Sequence, residues 1–360
     1  VPPRNHNLEA MHRDAAARTA LRAWRNLARK ASAGTPSRTL IACSGGADST
    51  ALVLVLSKQP DAVVVAHVVH DLRPRRQAVA DRDAAKRLAD RLGLRFCEAS
   101  VRVRGRAGNP EANARRLRYA ALARLARKHR CTYVATAHHA DDLVESVLMR
   151  LLRGAGPRGL AAMRPSRPLD GDSRAAIRLI RPLLGVTRAD AERICRVAGV
   201  PWQTDATNTD TNRLRAAIRA RVLPTLRSLA PGYEARVVQA AAMLGQAADL
   251  IGARAGHVRG LAKAGEGRLV WERAALRRRR AIVLGECLRR AAIELGASAD
   301  QLGSRVVDPV VASIVSASGE RKEHQLGGVL AVVDRDGVRL GRVKNSRRTI
   351  PRTGRRPRRP

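Results

Sequence analysis

The stretch Thr39-Leu40-Ile41-Ala42-Cys43-Ser44-Gly45-Gly46-Ala47-Asp48-Ser49 decides how this chain is read. Its first five residues are β-rich and Thr50 to Leu56 beyond it are apolar, so the segment reads as strand, tight turn, helix. Two adjacent glycines let backbone N–H groups close on an anion, and the following helix N-terminus adds partial positive charge. Ser44 and Ser49 offer hydroxyls at the two ends of the loop. The lysine that a Walker A loop carries beside its last Ser or Thr is absent. The loop is therefore a phosphate cradle of another kind, with Ser44, Gly45, Gly46, Ala47, Asp48 and Ser49 as the candidate nucleotide-binding residues.

The 360 residues allow two or three domains, and the net charge of +38 is extreme. Arginine carries it, since only seven of the 69 basic residues are lysine. Base exceeds acid twofold, which points to a polyanionic partner, most simply nucleic acid. The nineteen residues Arg342 to Pro360 hold nine basic side chains and no acidic one, and read as a disordered arm. Without them the charge is still +29, so the folded body is basic too. The five cysteines (Cys43, Cys97, Cys131, Cys195, Cys287) are far apart and form no C-x-x-C, as suits free thiols in a reducing cytoplasm. There is no apolar run of membrane-spanning length and no apolar signal core, so the expectation is a soluble cytoplasmic protein.

Around the loop, strands and helices alternate. Strands are expected at 39–43, 62–67, 94–99, 131–136 and 177–181, and helices at 49–58, 77–92, 110–129, 138–153 and 187–198. That order, with near-continuous apolar strands such as Ala62 to Ala66, predicts an α/β fold: a parallel sheet covered by helices on both faces. Ligands in such sheets sit at the carboxyl ends of strands, where the loop already lies. A basic helix is expected over 8–30, ending at a turn over 33–36. Beyond about 230 the pattern changes to helices at 233–260, 274–295 and 308–317, then a β-hairpin of Val329–Asp334 and Val338–Val343 around Arg335-Asp336-Gly337. The expected organisation is a basic N-terminal helix (1–34), a catalytic domain (35–228), a smaller helical-plus-hairpin domain (229–345) and a basic tail (346–360).

A second constellation is His138-His139-Ala140-Asp141-Asp142-Leu143-Val144-Glu145, which opens a helix directly after a strand. At 100° per residue His138, Asp142 and Glu145 share a narrow arc, apart from the apolar face of Leu143, Val144, Val147, Leu148, Leu151 and Leu152. One imidazole and two carboxylates there can bind a cation, accept an ammonium group or manage a proton. His67 and His70 lie three apart on a strand end, a spacing that does not put both on one face, so no metal-ligand set is assigned. Gly154-Ala155-Gly156-Pro157-Arg158-Gly159 matches G-x-G-x-x-G but follows a helix, so it is not a dinucleotide fingerprint. Two arginine sets remain as phosphate clamps: Arg115 and Arg118 on a helix capped by Asn109-Pro110, and Arg213, Arg215, Arg219 and Arg221 on a helix expected to end at Pro224.

Taken in order, these motifs resemble one family, the tRNA(Ile)-lysidine synthetases of the N-type ATP pyrophosphatase (PP-loop) superfamily. The resemblance rests on Ser-Gly-Gly-x-Asp-Ser, on His67-x-x-His70-x-Leu72-Arg73, on Glu111 to Tyr119, and on Thr136 to Asp142 with Glu145 and Arg153 to Gly156. It continues through Arg181-Pro182-Leu183-Leu184, Asp205-x-Thr207-Asn208 and Arg215 to Pro224, covering about 39–224. Three positions depart from the family pattern: Asp71 stands in place of Gly, Ala216 in place of Asn, and Thr207 in place of Ser. Ala47 occupies the variable slot where some relatives carry Lys, which leaves the cradle to backbone N–H groups.

The resemblance implies a two-step reaction. The C2 oxygen of the wobble cytidine in the CAU-anticodon isoleucine tRNA attacks the α-phosphorus of ATP and releases pyrophosphate. The ε-amine of free L-lysine then attacks C2 and expels AMP, leaving lysidine. By the same resemblance Asp142 and Glu145 recognise the lysine ammonium groups, His138 sits by the reacting centre, Arg115 and Arg215 stabilise the adenylate or the RNA, and Mg²⁺ offsets phosphate charge. The C-terminal domain and tail would contact tRNA, and a homodimer is compatible with the sequence. Rival readings are a tRNA-thiolating enzyme of the same superfamily, a non-catalytic RNA-binding relative and a metal-dependent hydrolase.

Overall fold

The computed structural model describes residues 5–29, 37–72, 74–169, 177–203 and 213–342. The first compact unit, Val1–Gly245, opens with helices α1 (Asn5–Arg13) and α2 (Ala15–Arg29). It continues with strand β1 (Arg38–Ala42), α3 (Ala47–Leu56), β2 (Val63–His70), α4 (Arg75–Arg91), β3 (Arg95–Val101), α5 (Pro110–Lys128), β4 (Cys131–Ala135) and α6 (Ala140–Leu151). Then come α7 (Pro157–Leu160), β5 (Ser166–Pro168), β6 (Arg178–Ile180), α8 (Arg188–Val197), α9 (Arg213–Ala217), α10 (Leu223–Leu229) and α11 (Tyr233–Gly260), whose last turns lie beyond the unit boundary.

The sheet order is β3-β2-β1-β4-β6-β5, parallel except for β5 against β6. Alternate strand residues feed two cores. Ile41, Val63, Val65, Tyr133 and Ile180 pack with α2, α3 and α8 on one face, while Leu40, Val64, Val134 and Leu179 meet α5 on the other. Nine of the ten residues of α3 are buried, which explains why its sequence is apolar on all sides. Burying a side chain such as Leu52 or Leu54 contributes about 2 kcal/mol, so this helix holds the loop before it rigidly. Because β2 and β4 flank β1 on opposite sides, the strand order reverses between β1 and β4. A crevice therefore opens at their carboxyl ends.

Several expectations are corrected. The helix expected over 8–30 is two, because the Asp14 carboxylate accepts from the Ala16 and Ala17 N–H groups (2.8 and 3.2 Å) and starts α2 afresh. The helix expected to end at Pro224 runs on. A wider π turn over Ile218–Val222 places Pro224 in the first turn of α10, where its missing N–H has no bond to make. The edge strand β5 was not expected; Pro168 at its end suits an edge position. The turn over 33–36, Arg73, the Asp205-Thr207-Asn208 motif and the tail from 343 lie outside the described residues.

The second unit, Gln246–Pro360, holds β7 (Lys263–Gly265), β8 (Arg268–Glu272), α12 (Arg273–Arg277), α13 (Ala281–Glu294), α14 (Ser304–Val315), β9 (Lys322–Leu326), β10 (Val329–Val333) and β11 (Gly337–Arg342). The expected hairpin is present with Val333 opposite Val338, its turn held by the Asp334 carboxylate, which accepts from the Gly337 N–H at 2.9 Å. It is the centre of a five-stranded antiparallel sheet of order β7-β8-β11-β10-β9, not a lone hairpin. Charged residues such as Arg268, Glu272, Lys322 and Glu323 hid the alternation of the outer strands. The helix expected over 274–295 is broken at Arg278-Arg279-Arg280, where no apolar side chain anchors the turn. Arg273 is buried and donates to the carbonyls of Ser313, Ile314 and Ser316, closing the C-terminus of α14.

Candidate active site

The crevice holds a cavity of about 1020 Å³. Its phosphate side is the loop after β1. Gly45 has φ +88°, a conformation that side chains oppose, and a Cβ there would meet the Asp81 carbonyl oxygen at 3.4 Å. Gly46 is the N-cap of α3 without any side-chain cap, so the first N–H groups of that helix remain for an anion. The Ser49 hydroxyl donates to the Gly46 carbonyl (3.0 Å) and accepts from the Ser44 N–H (3.1 Å), which closes the loop on itself. Gln203 N–H donates to the Gly45 carbonyl (3.0 Å) from the far side. Asp48 projects from the first turn of α3, and its Oδ1 is buried with no hydrogen-bond partner.

The other side of the cavity is the junction of β4 and α6. His138 Nδ1 lies 2.9 Å from Thr136 Oγ1. Burial, helped by the nearby Arg181, pushes the His138 pKa down to about 3, so its ring is uncharged at neutral pH. His139 sits at the N-terminal end of α6 and behaves oppositely. Burial alone would discharge it, but the carboxylates of Asp141, Asp48 and Asp142 outweigh burial and raise it to about 10. Its Nε2 lies 3.6 Å from Asp48 and 3.4 Å from Asp142, and its Nδ1 3.5 Å from Asp141. A buried imidazolium thus joins the phosphate loop to the acidic start of α6.

Arginines from α9 and the π turn reach this acidic start. Arg215 donates to Asp142 (3.0 Å) and Glu145 (2.6 Å), and Arg219 to both oxygens of Glu145 (2.7 and 3.2 Å). Glu145 is fully buried and lines a smaller cavity of about 280 Å³ that shares His139 and Arg219 with the larger one. Asp141 accepts from Arg227 (2.6 Å) and the Arg188 N–H (2.8 Å). Burial would raise the Asp141 pKa, but His139 and these donors bring it down to about 2.

Of the residues singled out from sequence, Ser44, Gly46, Ala47, Asp48, Ser49, Arg115, His138, Asp142 and Arg215 line the large cavity. Gly45 supplies the turn beneath it, and Glu145 faces the smaller cavity behind. His139 and Arg181 were missed as site residues, and Arg219, expected among the phosphate clamps, lines the cavity with its guanidinium paired to Glu145. His139 was visible as a helix N-cap beside two aspartates, while the arginines' partners lie far away in sequence. Among the described residues no three His, Cys, Asp or Glu are grouped to hold a metal ion, and no helix is long and apolar enough to cross a membrane.

A family model, the PP-loop domain, matches residues 19–226, more than half of the chain. The tRNA(Ile)-lysidine synthase of Salinispora arenicola is 36% identical over 319 residues, covering 81% of this chain and 86% of that protein. The chain belongs to the tRNA(Ile)-lysidine synthase family. Relatives in this family differ in length. The match spans 46% of the Dehalococcoides mccartyi protein, at 35% identity over 59% of this chain. It spans 63% of the Bordetella parapertussis protein, at 39% identity over 60% of this chain. The chain thus spans about half to two thirds of the length of those two. Among solved structures, the U34-tRNA thiolase NcsA of Methanococcus maripaludis matches with a TM-score of 0.51 at 15% identity, over 64% of this chain and 79% of that one. That likeness concerns the fold.

Proposed function

We propose that this protein uses ATP to join free L-lysine to C2 of the wobble cytidine of the CAU-anticodon isoleucine tRNA, by way of an adenylated cytidine. The observation that carries this reading is one cavity bounded by the Ser44–Ser49 loop on one side and by His138, Asp142 and Arg215 on the other. The N–H groups at the start of α3 receive the phosphates of ATP, and Asp48 faces their charge. The unpartnered, buried Oδ1 of Asp48 fits Mg²⁺, which typically takes one or two carboxylates and the substrate's phosphates. The ion would supply charge neutralisation at the α- and β-phosphates as pyrophosphate leaves.

In the second step the lysine amine must shed a proton before it attacks C2. An uncharged His138 lets a cationic amine approach without repulsion and offers it a hydrogen bond. Asp142 faces the cavity and is the carboxylate we assign to the ammonium group. Glu145 stands behind it and holds Arg215 and Arg219 in place. Arg215 then neutralises the adenylate phosphate before AMP leaves, while Arg115, which lines the same cavity, faces the RNA. The second unit and the basic tail would hold the tRNA by its backbone, which makes affinity depend on salt.

The test is purified protein with ATP, Mg²⁺, labelled lysine and the CAU-anticodon tRNA. Lysine incorporation that requires both ATP and the tRNA is the expected result, with AMP and pyrophosphate formed in equal amounts. No incorporation under these conditions would sink the proposal.

A further inference from the structure

Three arginines gather around one tyrosine beside His138, two of them over its ring. Arg115 and Tyr119 stand four residues apart on α5, Arg167 lies on β5, and Arg181 directly follows β6. The guanidinium carbons of Arg115 and Arg167 lie 5.0 and 5.3 Å from the centroid of the Tyr119 ring. Arg181 is only 5% exposed and gives Nη1 to the Arg164 carbonyl, while its Nε is buried without a partner. Arg167 gives one bond to the Pro168 carbonyl (2.9 Å). No carboxylate among the described residues pairs with any of the three, whereas Arg193, Arg215, Arg219 and Arg227 are all paired.

Like charges brought together in a partly dry site repel strongly. The tyrosine π-face offsets this only in part. Burial first, and then Arg167 and Arg115, bring the Arg181 pKa down to about 10 against the pull of Tyr119. The cluster is therefore short of an anion in the free protein.

Its place in the sheet says which anion. The phosphate loop follows β1, His138 follows β4 and Arg181 follows β6, in that spatial order. With strands about 4.8 Å apart, Arg181 lies roughly 10 Å beyond the strand that carries the phosphate loop. That distance puts it past the reacting phosphate, on the acceptor's side of His138. We propose that Arg115, Arg167 and Arg181, gathered around Tyr119, form a subsite for an RNA phosphodiester next to the reacting nucleotide. This rests on the function proposed above. Planar guanidinium forks suit a phosphodiester's paired oxygens, and such a contact fixes the register of the RNA.

Arg167 has no ion pair to lose, so Arg167→Gln should fold, with an unchanged Tm as the check. Direct binding to the CAU-anticodon tRNA is compared with binding of ATP and AMP. The expected result is about a tenfold weaker tRNA affinity at ~0.15 M salt. The slope of log affinity against log salt should also fall by about 0.7, one single-stranded phosphate contact. ATP and AMP affinity should stay the same. Arg167→Lys should restore the slope and only part of the affinity, because it keeps the charge and loses the fork. Unchanged tRNA affinity and slope would overturn the proposal, as would weaker AMP binding with tRNA binding intact. Lysine incorporation is scored separately, so failure of the wild-type reaction counts against the function and not against this subsite.

Discussion

The two sides of the cavity are built from different materials. After β1 the chain offers backbone: a left-handed Gly45, a helix N-terminus and serines that bond within the loop. After β4 it offers ionised side chains, with three acids and three arginines interlocked around His139. Backbone N–H groups suit a ligand of constant charge such as a phosphate. Titratable groups suit one that must change its charge, as an amine does before attack. Asp48 is the contact between the two sides, sharing His139 with Asp141 and Asp142.

The largest effect should come from cutting that contact. Asp48→Asn removes the only charged side chain within the phosphate loop. Pyrophosphate release should fall by at least ~100-fold. Stopped-flow or steady-state pyrophosphate assays check this, and a near-normal rate would mean that the backbone side works alone. Next comes the acidic side by itself. Glu145→Gln leaves Arg215 and Arg219 sharing a neutral partner, at a cost of about 2–4 kcal/mol in unfolding free energy. ATP affinity should change little, and loss of ATP binding would show that the two sides are not separable.

The phosphate side was legible in the sequence because its chemistry is local. Ser44 to Ser49 are consecutive, and glycine is what a φ of +88° demands. The acidic side was legible only in part. His138, Asp142 and Glu145 cluster within eight residues, but their partners Arg215 and Arg219 arrive from some seventy residues downstream. Nothing in helical spacing reveals that Glu145 points away from the main cavity, since that depends on where α9 packs. The outer strands of the second unit were hidden for a related reason: exposed edges such as Lys322–Leu326 carry polar residues on both faces. The parallel direction of strands in the first unit follows from alternation with helices, but their order does not, and β5 has only three residues and a proline.

Acid and base should separate the two sides by a smaller amount. His139 is raised above its ordinary value, so its contribution is full below about pH 6.5 and is lost as pH rises through about 10. Asp141 is depressed, so its contribution, about 2 kcal/mol, is full above about pH 4 and is lost as pH falls through about 2. Unfolding free energy should therefore gain most from this network between about pH 4 and 6.5. In His139→Gln the decline on the alkaline side should flatten. A wild-type-like alkaline slope in that variant would place the titration elsewhere.

The smallest effect concerns a departure from the family pattern. Asp71 follows β2 at a position where the resemblance implies a glycine, yet it does not take a left-handed backbone. Its carboxylate accepts from the N–H groups of Val103 (2.7 Å) and Arg104 (3.3 Å), and so ties the end of β2 to the segment after β3. Those bonds hold its pKa below the usual carboxylate range. A glycine at this position would lack the clasp between the end of β2 and the segment after β3. Asp71→Gly should lower Tm slightly at neutral pH, with the difference vanishing once pH falls below the ordinary aspartate range and the clasp is protonated. ATP affinity should not move. A loss of ATP binding in Asp71→Gly would mean that the clasp shapes the His67–His70 wall of the cavity, and that the phosphate side depends on more than its own six residues.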